Sequence, residues 1–317
     1  MKLREIYNLA VETGINADPR GAATAKKALK KAKTVLDKLD ARDKDEFDNE
    51  RLTNPFADTR ILYGADDVAV KNVIAGIDVE TPELLLADRL RENGTKIDLV
   101  IGHHPEASAY ANLHQVMGMQ TDLWNMFGVP VNVGDALMDE RMREVKRGLM
   151  PVNKERPRDA ARLLNIPFMC CHTPADNLVT SELEARMGKE KPETLKDIID
   201  ILKTYPEYKE AAKQSSGPTI LVGAPDNRTG KIFVDMTGGT GGPKKIISEW
   251  VKAGVGTVIG MHMNEKNREE AVKHHLNVVI AGHIASDSIG LNLFLDKLEQ
   301  KGVGVTAFSG LIRVKRT

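Results

Sequence analysis

The stretch N-V-I-A-G-I-D-V-E-T-P-E-L-L-L-A-D-R-L-R-E-N-G-T-K-I-D-L-V-I-G-H-H-P, residues 72–105, decides the fold. Its first eight residues form a short apolar run rich in β-branched side chains, which predicts a buried strand. Thr81 then caps a helix, Pro82 stands in its first turn and Gly94 closes it. K-I-D-L-V-I-G, residues 96–102, is the next strand. Strand, helix, strand within so short a span is the unit of a parallel sheet, because parallel strands need a crossover to return the chain.

The same alternation continues downstream. I-P-F-M-C-C (166–171), G-T-V-I-G-M (256–261) and N-V-V-I-A-G (277–282) read as strands, and G-P-K-K-I-I-S-E-W-V-K-A-G (242–254) and S-D-S-I-G-L-N-L-F-L-D-K-L-E-Q-K-G (286–302) read as helices. P-T-I-L-V-G-A-P-D-N-R-T-G-K-I-F-V-D (218–235) differs: two apolar runs flank a turn-rich segment, which predicts a hairpin and hence a mixed sheet. The expected class is α/β, two-lobed, with mixed but mostly parallel sheets and flanking helices.

Upstream, residues 1–55 read as a helical extension. Leu29, Ala32, Leu36 and Leu39 share one stripe, with Lys26, Lys30, Lys31 and Lys33 mostly off it. The acidic run at 43–50 leads to Pro55, after which the composition turns β-rich, so the core is expected over 56–317.

Composition narrows the function. The 317 residues carry 45 Lys+Arg against 45 Asp+Glu, so no net charge draws the chain toward nucleic acid or anionic lipid. Lys26, Lys27, Lys30, Lys31 and Lys33 are the solvated face of a helix rather than a nucleic-acid patch. Adjacent Cys170 and Cys171 close no useful disulfide loop and read as small buried hydrophobes. With no apolar leader and no membrane-length apolar run, the expected place is the reduced cytoplasm.

The chemistry lies in the histidines. His103 and His104 follow the strand at 96–102, His172 follows 166–171, His262 follows the strand beginning at 256, and His283 follows 277–282. Ligands of open α/β sheets bind outside the carboxyl ends of the strands, so the topology delivers these residues to one crevice. His274 and His275 precede their strand and belong at the opposite edge. Asp176 lies four residues after His172, and Asp287 four after His283, a spacing that shares a face in a first helical turn. Histidine with carboxylate suits zinc, iron or manganese, and three histidines with two carboxylates exceed what one tetrahedral ion uses, which points to two divalent ions. The run T-G-G-T-G-G-P-K-K, residues 237–245, follows a strand: Gly238, Gly239, Gly241 and Gly242, with Lys244 or Lys245, form either a phosphate cradle or a turn packed close to its neighbours.

Taken together, G-H-H-P at 102–105, H-T-P-A-D at 172–176, G-G-T-G-G at 238–242 and G-H-I-A-S-D at 282–287 resemble, in this order, the Nif-three-like dinuclear metal centre family. The resemblance implies a two-lobed α/β fold, a toroidal homohexamer and two ions facing its cavity, with His103, His104, Asp176, His283 and Asp287 as ligands and His172 as a neighbouring proton carrier. Many members bear the description GTP cyclohydrolase I type 2-like. The chain departs from the family at three places. Asp287 stands where Glu is usual, G-M-H-M (260–263) replaces a Glu-containing segment and offers His262, and about 70 residues separate His104 from Asp176. The expected function is a dinuclear-metal-dependent hydrolase of a small phosphorylated heterocycle or nucleotide, with His172 or His262 moving protons. The alternative is an assembly that binds or delivers metal without turnover.

Overall fold

In the computed structural model, which describes residues 1–316, the strands of the described chain form two mixed sheets. The first, in the order β1–β4–β3–β2–β9, joins β1 (Arg60–Tyr63), β2 (Asn72–Gly76), β3 (Leu99–Gly102), β4 (Phe168–Cys170) and β9 (Gly304–Ala307). The second, β5–β8–β7–β6, joins β5 (Thr219–Val222), β6 (Lys231–Asp235), β7 (Val255–Gly260) and β8 (Asn277–Ile280). Each sheet is parallel except for one antiparallel edge strand, β1 against β4 and β5 against β8. β3 is buried at all four positions, as its unbroken apolar run requires of a strand covered on both faces.

The helices are α1 (Leu3–Asn16), α2 (Ala22–Lys38), α3 (Ala41–Asp45), α4 (Thr81–Glu92), α5 (Ala107–Ala111), α6 (Leu113–Val116), α7 (Met119–Phe127), α8 (Val131–Leu149), α9 (Arg156–Leu163), α10 (Thr173–Glu190), α11 (Leu195–Leu202), α12 (Pro206–Lys213), α13 (Ile246–Lys252), α14 (Glu265–Lys273) and α15 (His283–Gln300). α10 and α15 pack on each other and join the two lobes. Leu291, Phe294, Leu295 and Leu298 of α15 enter the core over the first sheet, whereas Ala285 and Ile289 enter the core over the second. α1 belongs to the first of these cores through Leu3, Ile6, Tyr7 and Ala10, while α2 buries only Ala25 and Ala32. No described helix is long and apolar enough to cross a membrane.

The long connection from β3 to β4 carries α5–α9. Met117, Leu123 and Trp124 from this excursion pack against Phe233, Trp250 and Val258 of the second sheet and its cover, so a crossover of one lobe buttresses the other.

The expected hairpin at 218–235 does not form. β5 and β6 lie on opposite edges of the second sheet, and the turn-rich segment between them runs beneath β8 and β7. It is held there by hydrogen bonds from Asn277 Nδ2 to Arg228 O and from Thr257 Oγ1 to Thr229 O. The sheet is mixed all the same, through β5 and β8. The segment at 242–254 becomes helical only from Ile246, three residues beyond Pro243. At α4 the cap is Glu80 rather than Thr81, with the backbone N–H of Glu80 donating to Glu83.

Candidate metal centre

The carboxyl ends of β3, β4 and β8 meet the first turns of α10 and α15. His103 and His104 follow β3, His172 precedes α10, and His283 opens α15. Asp176 and Asp287 occupy the first or second turns of the two packed helices, which brings the two carboxylates between the histidines.

The imidazoles are oriented by what their Nδ1 atoms touch. His103 Nδ1 lies 3.1 Å from the Cys171 carbonyl oxygen, His104 Nδ1 2.6 Å from Asp78 Oδ1, and His172 Nδ1 2.7 Å from Asp58 Oδ2. A carbonyl oxygen accepts only, and so does an ionised carboxylate, so each Nδ1 carries a proton and each Nε2 is left to face the site. This is how ligating histidines are held.

The distances among those Nε2 atoms and the carboxylates fit a cation better than direct hydrogen bonds. Asp287 Oδ1 is 3.4 Å from His103 Nε2, while its Oδ2 is 3.4 Å from His104 Nε2 and 3.5 Å from His283 Nε2. Asp176 Oδ1 is 3.4 Å from His103 Nε2. Donor atoms around a tetrahedral ion at bond lengths of about 2.1 Å stand roughly 3.4 Å apart, beyond the usual N–H···O range. His103 Nε2, Asp176 Oδ1 and Asp287 Oδ2 are buried without hydrogen-bond partners, an arrangement that costs stability unless a cation completes it. Three groups of ligand atoms lie within 4.8 Å of one another: His103, Asp176 and Asp287; His104, His283 and Asp287; and His103, His104 and His172.

The electrostatics agree. Burial opposes a proton on His103, yet Asp287 and Asp176 outweigh it and hold its pKa well above the ordinary histidine value. Burial likewise opposes charge on Asp287, but His103, His104 and His283 pull its pKa far below the usual carboxylate range. A point that so favours positive charge also favours a divalent ion.

The remaining expected residues spread over the surroundings. His262 packs edge-on against His283, ring centroids 4.8 Å apart, and lines the same cavity of about 70 Å³. Gly239 and Gly241 line that cavity, whereas Gly238 and Gly242 abut the α7 side chains Gln120 and Trp124. A Cβ on Gly238, whose φ is +95°, would stand 2.6 Å from Gln120 Cγ, and one on Gly239 2.9 Å from Val116 Cγ2, while one on Gly241 would meet nothing. Close packing on the α6–α7 excursion therefore explains the first two glycines. Gln120 Nε2 fixes the loop by donating to the carbonyl oxygens of Gly238 and Thr240. Lys244 lies outside the cavity, 3.9 Å from Glu270, in a cleft of about 610 Å³ of mixed charge, lined by Lys245, Lys266 and Arg141 and by Glu140, Glu144 and Glu265. His274 and His275 lie at the far end of β8, His274 against Glu270. Cys170 and Cys171 are buried, and burial pushes the Cys170 thiol up to about 12.

Three residues escaped the sequence reading. Asp58 and Asp78 orient His172 and His104, and both come from segments that carry no motif of their own. Asp235 ends β6 and lines the cavity, and burial alone pushes its carboxyl up to about 7. Its signal was available, an acidic residue closing an apolar strand at the carboxyl edge.

No protein-family model matches the chain, and no curated protein does. Solved structures do. The chain is similar to a NIF3 superfamily protein from Sphaerobacter thermophilus, with 30% identity and a TM-score of 0.71 over 80% of this chain and 92% of that one. It is also similar in fold to reduced HcgD from Methanocaldococcus jannaschii, at 15% identity and a TM-score of 0.52 over 85% of this chain and 97% of that one.

Proposed function

The chain belongs to the NIF3 superfamily, and from that premise we propose that it is a dinuclear-metal-dependent hydrolase of a small phosphorylated heterocycle or nucleotide, working as a closed homo-oligomer, a hexamer. The observation that carries this is Asp287, whose two oxygens face different histidines: Oδ1 faces His103, and Oδ2 faces His104 and His283. A carboxylate so placed would hold two ions, one with His103 and Asp176, the other with His104 and His283. Two divalent ions, when bound, supply Lewis acidity toward water and the scissile bond.

The protein's own groups supply the rest. His262, beside His283 at the cavity wall, moves a proton between the reacting centre and solvent. Asp235, its carboxyl raised to about 7 by burial, exchanges protons near neutral pH, as general acid–base work requires. The cleft across the loop from the cavity is of mixed charge, and its Lys245 and Lys266 are the groups there that would meet a phosphate at the other end of a substrate.

The test is turnover. Metal-loaded protein is assayed against a panel of nucleotides, pterins and phosphoesters, with Asp176→Asn as control. We expect at least one compound to be hydrolysed 10²-fold or more faster by the wild type, the order of a lost metal ligand or general base. Equal rates across the whole panel would sink the proposal.

A further inference from the structure

About two turns beyond Asp176 on α10, Glu184 carries a carboxylate that nothing in the fold answers. It is partly buried, and among the described residues no charge or hydrogen-bond donor offsets that burial. It lines a pocket of about 400 Å³ between the second half of α10 and β6. That volume falls within the range of small-molecule sites, about 300–1,000 Å³. The wall around the carboxylate is apolar and already formed. Ile232 and Val234 stand two apart on β6 and so share one face, and Met187 of α10 packs in the same core. Phe127 is held on two sides, its ring against Phe233 with centroids 4.6 Å apart and its carbonyl oxygen accepting from Lys231 Nζ at 2.6 Å. Lys191 also lines the pocket, but it is exposed and makes no ion pair with Glu184.

Gly188 lies one turn after Glu184 and lines the same pocket. A Cβ on it would meet nothing within 4 Å, so the space stays empty where any other residue would project into it. A glycine inside a helix and an unanswered carboxylate in an apolar wall each lower the stability of the free protein. Both face one cavity, and residues that break local rules together mark a place where function sets the choice. We propose that this pocket is a second binding site, for an organic ammonium ion: a protonated amine on a compact apolar body, with the amine on Glu184 and the body against Phe127, Met187, Ile232 and Val234. Pairing a carboxylate with a charged donor in apolar surroundings gives a strong hydrogen bond. A metal ion would find no second carboxylate, histidine or thiol among the lining residues, and an anion would meet Glu184 with like charge. The site is separate from the metal centre, none of whose candidate ligands lines it.

The test is calorimetric titration of the full chain at pH 8, with amide chemical shifts recorded alongside, and phenylethylamine and hexylamine as probes. At that pH both amines are charged and the Glu184 carboxyl, which burial brings up to about 7, is ionised. One equivalent of each amine should bind saturably and move the amide resonances of Gly188 and Gly230, the second of which lines the pocket just before β6. Phenylethanol should bind about tenfold more weakly, and phenylpropionate should not bind. Glu184→Gln should weaken the amines about tenfold or more, the worth of a hydrogen bond to a charged group, and leave phenylethanol unchanged. Gly188→Leu should exclude every probe, whereas Glu190→Gln, on the same helix with its carboxylate 3.4 Å from Arg186, should change nothing. The proposal is overturned if neither amine saturates, if Glu184→Gln binds the amines as the wild type does, or if phenylpropionate binds as well as phenylethylamine. Should Gly188→Leu not fold, Glu184→Gln decides alone, since it removes a buried charge and is expected to fold.

Discussion

Gly290 lies where α15 crosses α10, and a Cβ built on it would stand 2.2 Å from the carbonyl oxygen of Ala175. Backbone cannot yield as a side-chain tip can, so Gly290→Ala must push the helices apart. Asp287 lies about one turn before Gly290, and Asp176 follows Ala175, so the same displacement separates the carboxylates that share the centre. We expect a loss of about 3 kcal/mol, near the upper end of ordinary overpacking, and a parallel loss of metal affinity, read by urea denaturation and metal titration. Gly188→Ala is the contrast. It is in α10, the helix that α15 crosses, a Cβ there meets nothing within 4 Å, and the change should stabilise by about 0.5–1 kcal/mol. Equal effects at the two positions would show that the close crossing does not set the centre. At this scale the sequence was informative about strand-end histidines, because topology alone sends the carboxyl ends of parallel strands to one place. It was silent about Asp58 and Asp78, whose meaning comes from which imidazole nitrogen they touch, a three-dimensional fact with no spacing to announce it.

Elements were legible where hydrophobic period and turn chemistry agreed. The strands ending before His103, His172 and His283 and the helices α4 and α15 lie where the apolar runs put them. The hairpin at 218–235 was misread because a Gly-, Pro- and Asn-rich segment between two strands fits a tight turn locally, while the hydrogen bonds that carry it beneath β8 and β7 come from Asn277 and Thr257, far along the chain. α10 carries a further consequence. Glu184 is partly buried on it with no cation to offset the burial, which pushes its carboxyl from 4.5 up to about 7. In the unfolded chain it titrates at its ordinary value. Below that value both states hold the proton and nothing is lost, whereas between it and about 7 the unfolded state releases the proton first and stability falls. Glu184→Gln should therefore match the wild type near pH 4 and exceed it near pH 8 by roughly 1 kcal/mol, a figure discounted for the solvent that screens a partly exposed group. Urea midpoints of both proteins across that range check it, and a constant difference would remove Glu184 as the source.

For the whole molecule, the question is what the first 55 residues do. Composition sets them apart, but packing divides them internally. Leu3, Ile6 and Ala10 of α1 are 0% exposed and lie in one core with β2, β3 and α15, so α1 is a structural member of the first lobe. α2 and α3 project from it, with Ala25 and Ala32 as their only buried side chains. Just beyond them Asp48 and Glu50 reach back to Arg60, and Arg60 clamps the loop that carries Asp58. The extension thus reaches the candidate centre from two places, through α1, whose Gly14 abuts Pro174 and accepts from Asn177 Nδ2 beside Asp176, and through its last few residues. Replacing residues 22–45 with about twelve Gly/Ser residues, whose span is roughly 20 Å, should leave the melting temperature within a few degrees and the metal content unchanged. Removing residues 1–16 should abolish folding, because deleting even three buried Leu- or Ile-sized side chains at about 2–5 kcal/mol each approaches the whole stability of an ordinary domain. Tyr7→Phe separates packing from polarity, since it keeps the ring and removes the hydroxyl that donates to Glu50 and accepts from Asn54. It should cost about 1–2 kcal/mol. Calorimetry with metal analysis on the three variants decides the assignment: a linker variant that folds but loses metal would mean that α2 and α3, and not Asp48 and Glu50, hold the Asp58 loop in place.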